Sequence, residues 1–232
     1  MIYVFCNEAY GKPICEAALE YTRARSMPIT VVMSARKWKK RGAAGRLSLL
    51  LSDAGCLLSK IWRERSLAEK YGSKVILTRN VNAWWFVRRI KPEDDGIVSG
   101  FNQIFHVVTI NRFHTLVNFH PSILPFYRGP VPSYWVIRNG EQRTGYTMHR
   151  ITSKIDDGEI LYQEEIPVDG VVSPDELNRR VATRAAELVP RYLDHLTSGS
   201  EWCKVQLNAV AIYRTHVSYL SFPEREQARS GS

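Results

Sequence analysis

The chain has 232 residues, 44% hydrophobic and 24% charged, which describes an ordinary globular protein rather than a disordered, collagenous or membrane one. A chain of this length buries roughly 70% of the surface its unfolded form exposes, so it needs neither disulfides nor a structural metal. Thirty-two Lys and Arg against 23 Asp and Glu leave a formal charge of +9, which asks for an anionic partner: nucleic acid, a membrane surface, or a small molecule carrying phosphates or carboxylates.

Residues 2–6 form a short apolar run with β-branched and aromatic members and predict a buried strand. In residues 12–25 the apolar positions Ile14, Ala17, Ala18 and Tyr21 fall at helical spacing, and Pro28 breaks the pattern before a second strand over 29–33. A basic loop over residues 35–46 leads into a long helical segment ending near Gly72, and a third strand follows over 74–77. Its apolar part, residues 47–62, is interrupted by Ser48, Ser52, Asp53, Ser59 and Lys60, too polar and too short to span a bilayer. Residues 80–95 predict another helix, and 96–100 and 115–120 a fourth and fifth strand. A proline-rich loop, a short helix over 133–138 and two alternating strands, 145–151 and 159–168, come next. Residues 173–196 predict one long amphipathic helix, with Ser173 as N-cap, Pro174 in the first turn and Asp175 and Glu176 favouring initiation. The remainder from Glu201 is poorly patterned.

Alternating strands and helices predict an α/β fold with a doubly wound, mainly parallel, Rossmann-like sheet. The expected organisation is a catalytic domain over 1–170 and a short helical or hairpin appendage over 171–232 packed on it. Cys6, Cys15, Cys56 and Cys203 fall at no C-x-x-C or Cys/His spacing, and no charged-then-apolar segment opens the chain, so the expected setting is reducing and cytoplasmic, without a bound metal.

Ligands in such sheets bind beyond the carboxyl ends of the strands. The stretch after the first strand, CNEAYGKP, carries neither the G-x-G-x-x-G of dinucleotide sites nor a Walker phosphate loop. The end of the fifth strand is richer. Asn118 and His120 are two residues apart and share one face, and Pro121 and Pro125 stiffen the loop bordering it. Downstream, in KIDDGEI, Asp156 and Asp157 stand on a polar turn before Gly158. A carboxylate near His120 would raise its pKa and fix its orientation. By spacing alone, an Asn or His at a strand end is more often a capping or packing residue than a catalyst.

The string VNFHPSILPFYRGPVPSYW, followed by TGYTMHRITSKIDDGEILYQEEIPV, resembles the formyltransferase family that uses 10-formyltetrahydrofolate. The family pattern Asn-x-His-x-Ser-x-Leu-Pro with a downstream Asp-x-Gly falls on Asn118, His120, Ser122, Leu124, Pro125, Asp156 and Gly158. The resemblance implies attack of an amine on a formyl carbon, with Asn118 donating to the oxyanion, His120 either taking the amine proton or donating to the oxyanion, and Asp156 positioning His120 or a water. It also implies a pterin lying against loops 99–105 and 151–157. Gly100, Phe101, Gln103, Ile104, Ile155 and Asp157 are therefore the expected cofactor contacts, although Phe101 and Ile104 suit a plain core equally.

Within the family, the compact H-P-S-x-L-P-x-Y-R-G loop and the Ile-Asp-x-Gly-x-Ile segment most resemble the short sugar N-formyltransferases. The expected acceptor is a nucleotide-linked amino sugar, the expected donor 10-formyltetrahydrofolate, with no nucleic acid or membrane partner. Methionyl-tRNA formyltransferases carry a further carboxyl-terminal domain for which little length remains here. Glycinamide ribonucleotide enzymes carry a glycine-rich phosphate loop where this chain has only Gly11. Amino acid, peptide, glycinamide ribonucleotide and methionyl-tRNA amines remain the alternatives. For an anionic acceptor and a folate glutamyl tail, Lys12, residues 36–46 and Arg128 are expected contacts, with Tyr10 and Tyr127 beside them; the bland alternative is solvated surface. His149 points either to the folate loop or to solvent. The apolar stretch 209–213 is a candidate homodimer surface.

Overall fold

The computed structural model describes residues 1–7, 10–35, 66, 70–171 and 173–198. Its elements are β1 (Ile2–Cys6), α1 (Gly11–Ala24), β2 (Ile29–Ser34), β3 (Lys74–Thr78), α2 (Trp84–Val87), β4 (Asp95–Ser99), α3 (Val107–Ile110), β5 (Thr115–His120), α4 (Pro132–Arg138), β6 (Arg143–Arg150), β7 (Ile160–Pro167), α5 (Pro174–Ala186) and α6 (Val189–Ser198). They build one sheet in the order β3-β2-β1-β4-β5-β6-β7. The first five strands are parallel; β6 and β7 add an antiparallel hairpin to β5. Strand order reverses between β1 and β4, where such folds bind ligands.

β1 shows why the centre of the sheet is apolar on both faces. Ile2, Val4 and Cys6 belong to one core with Ile14 and Ala18 of α1 and Leu177 and Val181 of α5, whereas Tyr3 and Phe5 belong to a second core with Phe86, Ile90 and Phe113. A strand covered on both sides reads as a continuous hydrophobic run, and all five β1 residues are buried. Phe5 also holds the loop after β4: its ring meets Phe101 at 5.5 Å and Phe105 at 4.9 Å, edge to face.

Two predicted helices differ in the structure. Residues 80–95 yield only the single turn α2, because their apolar side chains do not all face one way: Phe86 and Ile90 are buried, while Trp84 stands 72% exposed. Residues 173–196 form two helices, broken after Ala186. Pro190 lacks an N–H and its ring clashes with the preceding turn of a continuing helix, so it sits in the first turn of a new one. Ser173 does cap α5, its hydroxyl accepting from the Glu176 N–H at 3.2 Å. The basic loop over 36–46, most of the helical segment before Gly72, and stretch 209–213 lie outside the described residues. No helix among the described residues is long and apolar enough to cross a membrane.

Candidate active site

β5 ends at the sheet's ligand-binding edge, and its register with both neighbours sets the site. Asn118 lies opposite Val98 of β4 and opposite His149 of β6; His120 lies opposite Thr147. Directly opposed residues share a face, so the antiparallel hairpin brings a second imidazole beside the amide. The β6–β7 register shifts between Met148 and His149, an irregularity of the kind that re-aims a side chain.

The aspartate comes from the 151–159 loop, closed at its base by Arg150 N–H to Glu159 O at 2.9 Å and Ile151 N–H to Leu116 O at 2.9 Å. Gly158 is required there, since a Cβ on it would stand 1.8 Å from the Arg150 carbonyl oxygen. Asp156 adopts a left-handed conformation, φ +48°. Aspartate tolerates this region better than most residues, but the backbone still costs energy that its contacts must offset.

Those contacts converge tightly. The Gly129 N–H donates to Asp156 Oδ2 at 2.8 Å, and His120 Nδ1 stands 3.5 Å from the same oxygen. Asp156 Oδ1 accepts from Asn118 Nδ2 at 3.4 Å and lies 3.5 Å from His149 Nε2. Burial alone would push this carboxyl up, but His120 and His149 when protonated, together with the Gly129 N–H, hold it well below the usual carboxylate range.

Proton positions follow from the partners. His120 Nε2 meets the Tyr127 carbonyl at 2.9 Å; a carbonyl only accepts, so Nε2 carries the hydrogen and Nδ1 is the basic nitrogen, facing Asp156. His149 Nδ1 likewise donates to the Arg150 carbonyl at 2.9 Å, leaving Nε2 to accept from Asn118 Nδ2 at 3.2 Å. Burial lowers the His120 pKa, a change only partly countered by Asp156 and the Tyr127 carbonyl. A neutral imidazole with its lone pair directed at a carboxylate is ready to take a proton and hold it there.

The proline-rich loop is fixed from below by the buried Thr147 and the half-buried Gln163. Thr147 Oγ1 donates to Ser122 O at 2.7 Å and accepts from Leu124 N–H at 3.0 Å; Gln163 Nε2 donates to Leu124 O at 2.7 Å. The Leu124–Pro125 peptide is cis, and Tyr127 and Val131 have φ of +57° and +53°.

The remaining expected contacts are distributed unevenly. Ile104 and Ile155 stand 65% and 52% exposed on the two loops flanking Asn118, apolar surfaces that suit a flat ring. Phe101 packs on Phe5, and Gly100 sits at φ +57° with the Tyr10 Cβ close by. Gln103 is buried as a tie: it accepts from Val81 N–H at 2.9 Å and donates to Ser34 Oγ at 2.8 Å and Thr78 O at 3.0 Å. Tyr10 is buried in the α1-side core, its hydroxyl without a hydrogen-bond partner among the described residues and its pKa pushed up by burial. Lys12 is exposed and pairs with Glu16 at 3.9 Å. The Tyr127 hydroxyl points away, bonding Glu141 and, at 2.9 Å, Asn139. Arg128 pairs with Asp157 at 2.5 Å. His149 is buried within the site and does not reach solvent. Among the described residues, no three His, Cys, Asp or Glu side chains are arranged to hold a metal.

Sequence reasoning left His149 between two orientations and missed the Gly129 N–H and the Arg128–Asp157 pair. Only the alternation of Thr147 and His149 with the apolar Tyr146 and Met148 signalled the first. The other two depend on the path of a loop.

Comparison with known proteins gives a consistent result. Residues 87–193 match the family model described as formyl transferase. A methionyl-tRNA formyltransferase of Thermotoga maritima is 34% identical over 154 residues, which is 64% of this chain and 49% of that enzyme. The chain thus spans about half the length of the curated relatives it matches. Among solved structures, a glycinamide ribonucleotide transformylase from Symbiobacterium toebii is similar with TM-score 0.63 and 18% identity, over 85% of this chain and 87% of that one. An N-formyltransferase from Helicobacter canadensis, in complex with folinic acid and dTDP-3-aminofucose, is similar with TM-score 0.64 and 20% identity, over 91% of this chain and 69% of that one.

Proposed function

We propose that this chain, which belongs through residues 87–193 to the formyl transferase family, moves a formyl group from 10-formyltetrahydrofolate to a primary amine on an anionic carrier. The observation that carries the reading is the meeting of Asn118, His120, His149 and Asp156 at one strand end. The exposed Ile104 and Ile155 offer the apolar walls a pterin needs, beside backbone donors and acceptors of the same loops.

Bound folate supplies the electrophilic formyl carbon; the residues supply what its reaction needs. Asn118 stabilises the negative charge that develops on the formyl oxygen. Its Nδ2 has two hydrogens, one held by His149 Nε2 at 3.2 Å and one only loosely by Asp156 at 3.4 Å, and the second turns to the oxyanion. Such a donor contributes about 3 kcal/mol to the transition state. His120 takes up the amine proton at Nδ1, and Asp156 holds the resulting imidazolium before the proton passes to the leaving nitrogen.

For the acceptor we infer a nucleotide-linked amino sugar, on the His120–Pro121–Ser122 and Tyr127–Arg128–Gly129 pattern of the loop and on the fold shared with the Helicobacter enzyme over 91% of this chain. Lys12, exposed in the first turn of α1, which follows the carboxyl end of β1, is a candidate contact for its phosphates. The 34% identity to a methionyl-tRNA formyltransferase supports a second reading, an aminoacyl-tRNA amine. Incubation with 10-formyltetrahydrofolate and, separately, a panel of amino-sugar nucleotides and methionyl-tRNA decides between them: a mass gain of one formyl group on a sugar nucleotide supports the first, and formylation of tRNA alone replaces it with the second.

A further inference from the structure

The loop 121–131 and the loop 151–158 meet through two adjacent contacts. Gly129 donates its N–H to Asp156, and one residue earlier on the first loop and one later on the second, Arg128 closes on Asp157. The Arg128 side chain is 14% exposed and Asp157 30%, so this ion pair is partly withdrawn from water, unlike surface pairs such as Lys91–Glu93 with both partners largely exposed. Lys154 Nζ lies 3.8 Å from the second Asp157 oxygen. A bidentate-capable guanidinium on a carboxylate fixes orientation as well as distance.

Asp156 needs such a hold. It is in the left-handed region at φ +48°, and the loop opposite carries φ of +57° at Tyr127 and +91° at Gly129. Neither loop has regular structure to fix it. Yet Asp156 must stay within reach of Asn118, His120, His149 and Gly129 at once.

We propose that the Arg128–Asp157 ion pair is a positioning latch, which locks the aspartate loop to the proline-rich loop and so holds Asp156 against His120. Arg128 and Asp157 touch no reacting atom in this account; they act through their neighbours. The inference rests on the formyl-transfer reading for its kinetic consequence, but not for its structural one.

The test uses Asp157→Asn, Arg128→Met, Arg128→Lys and the exchange Arg128→Asp with Asp157→Arg. The readouts are kcat and KM for formyl transfer and the pH titration of the His120 ring by NMR in the protein without substrates. His120 is faced by Asp156, His149 and Arg128 and by the Tyr127 carbonyl; Arg128 lowers its pKa and Asp156 raises it. If Arg128 acted on His120 through its charge alone, Arg128→Met would move the ring's midpoint up. A latch that lets Asp156 drift moves it down. Expected are a fall in kcat of about 10- to 100-fold in Asp157→Asn and Arg128→Met, the folate KM within about threefold, and a downward shift of the midpoint in both. Arg128→Lys and the exchanged pair recover most of the loss. Unchanged kcat, an upward midpoint in Arg128→Met, or a change confined to KM would overturn the latch. If the wild-type chain formylates no amine, the functional reading fails separately and the titration still decides this one.

Discussion

Asp156→Asn removes one charge from the centre of the site and little else. Asparagine has the same shape, also tolerates the left-handed backbone at φ +48°, and its side-chain oxygen can still accept from the Gly129 N–H, so the fold should persist. What disappears is the counter-charge of His120, 3.5 Å from Nδ1, with both side chains largely buried. Two unit charges about 4 Å apart attract by about 4 kcal/mol at an effective dielectric constant near 20. Proton transfer is incomplete at the transition state and the amide keeps a dipole, so about 2 to 4 kcal/mol of that is lost from the barrier, or roughly 30- to 1000-fold in kcat. The sign of the pH effect is fixed as well. Burial already lowers the His120 pKa and Asp156 is the main group raising it, so the variant's base stays neutral to lower pH and the acid limb of its rate profile moves down. Formyl transfer followed by mass across the acid range measures both. A kcat within about threefold of wild type, or an acid limb displaced upward, would refute this reasoning.

Other expectations follow from the same geometry. His120→Gln should flatten the acid branch of thermal stability: with a folded pKa below the ordinary 6.5, wild-type His120 favours folding above that value and loses this contribution as pH falls below it, so Tm against pH separates the two proteins. His149→Phe keeps a ring at this position but frees Asn118 Nδ2 from its 3.2 Å partner, and should cost about tenfold or more in kcat with a nearly unchanged folate KM. Thr147→Val removes the hydroxyl that serves Ser122 and Leu124 and should cost about 1 to 3 kcal/mol in denaturant unfolding, with activity falling as the loop loosens. Gly158→Ala, with a Cβ 1.8 Å from the Arg150 carbonyl, should destabilise by about 2 to 4 kcal/mol, and an unchanged melting temperature would contradict the close approach.

Much of the fold could be read in the sequence because its signal is local. The β1 and β2 strands are short apolar runs and β4 and β5 shorter apolar stretches with polar ends, and each lies within a residue or two of its expected limits. The failures came where a tertiary contact decided the outcome. Ile90 and Phe86 turn to the core while Trp84 does not, which no periodicity over residues 80–95 announces, and Pro190 divides what reads as one amphipathic helix. At the site, Asn118 and His120 declared a shared face by their spacing. That His149 joins them follows from the β5–β6 register, and that Arg128 meets Asp157 follows from two irregular loops; neither is encoded at a fixed spacing. Gln103 and Tyr10 illustrate the reverse: side chains chemically suited to a ligand are used to tie β2 and β3 together and to fill the core beside α1.

The central claim is that Asn118, His120 and Asp156 carry a formyl group from a reduced folate to an amine. Its most direct measurement is single-turnover formyl transfer from 10-formyltetrahydrofolate to the acceptor found active in the panel, by wild type and by Asn118→Ala, His120→Ala and Asp156→Ala, with folded state checked by thermal unfolding. The account predicts one added formyl group per acceptor with wild type and a loss of at least about a hundredfold in each variant. Folded variants that transfer the group at the wild-type rate would contradict it.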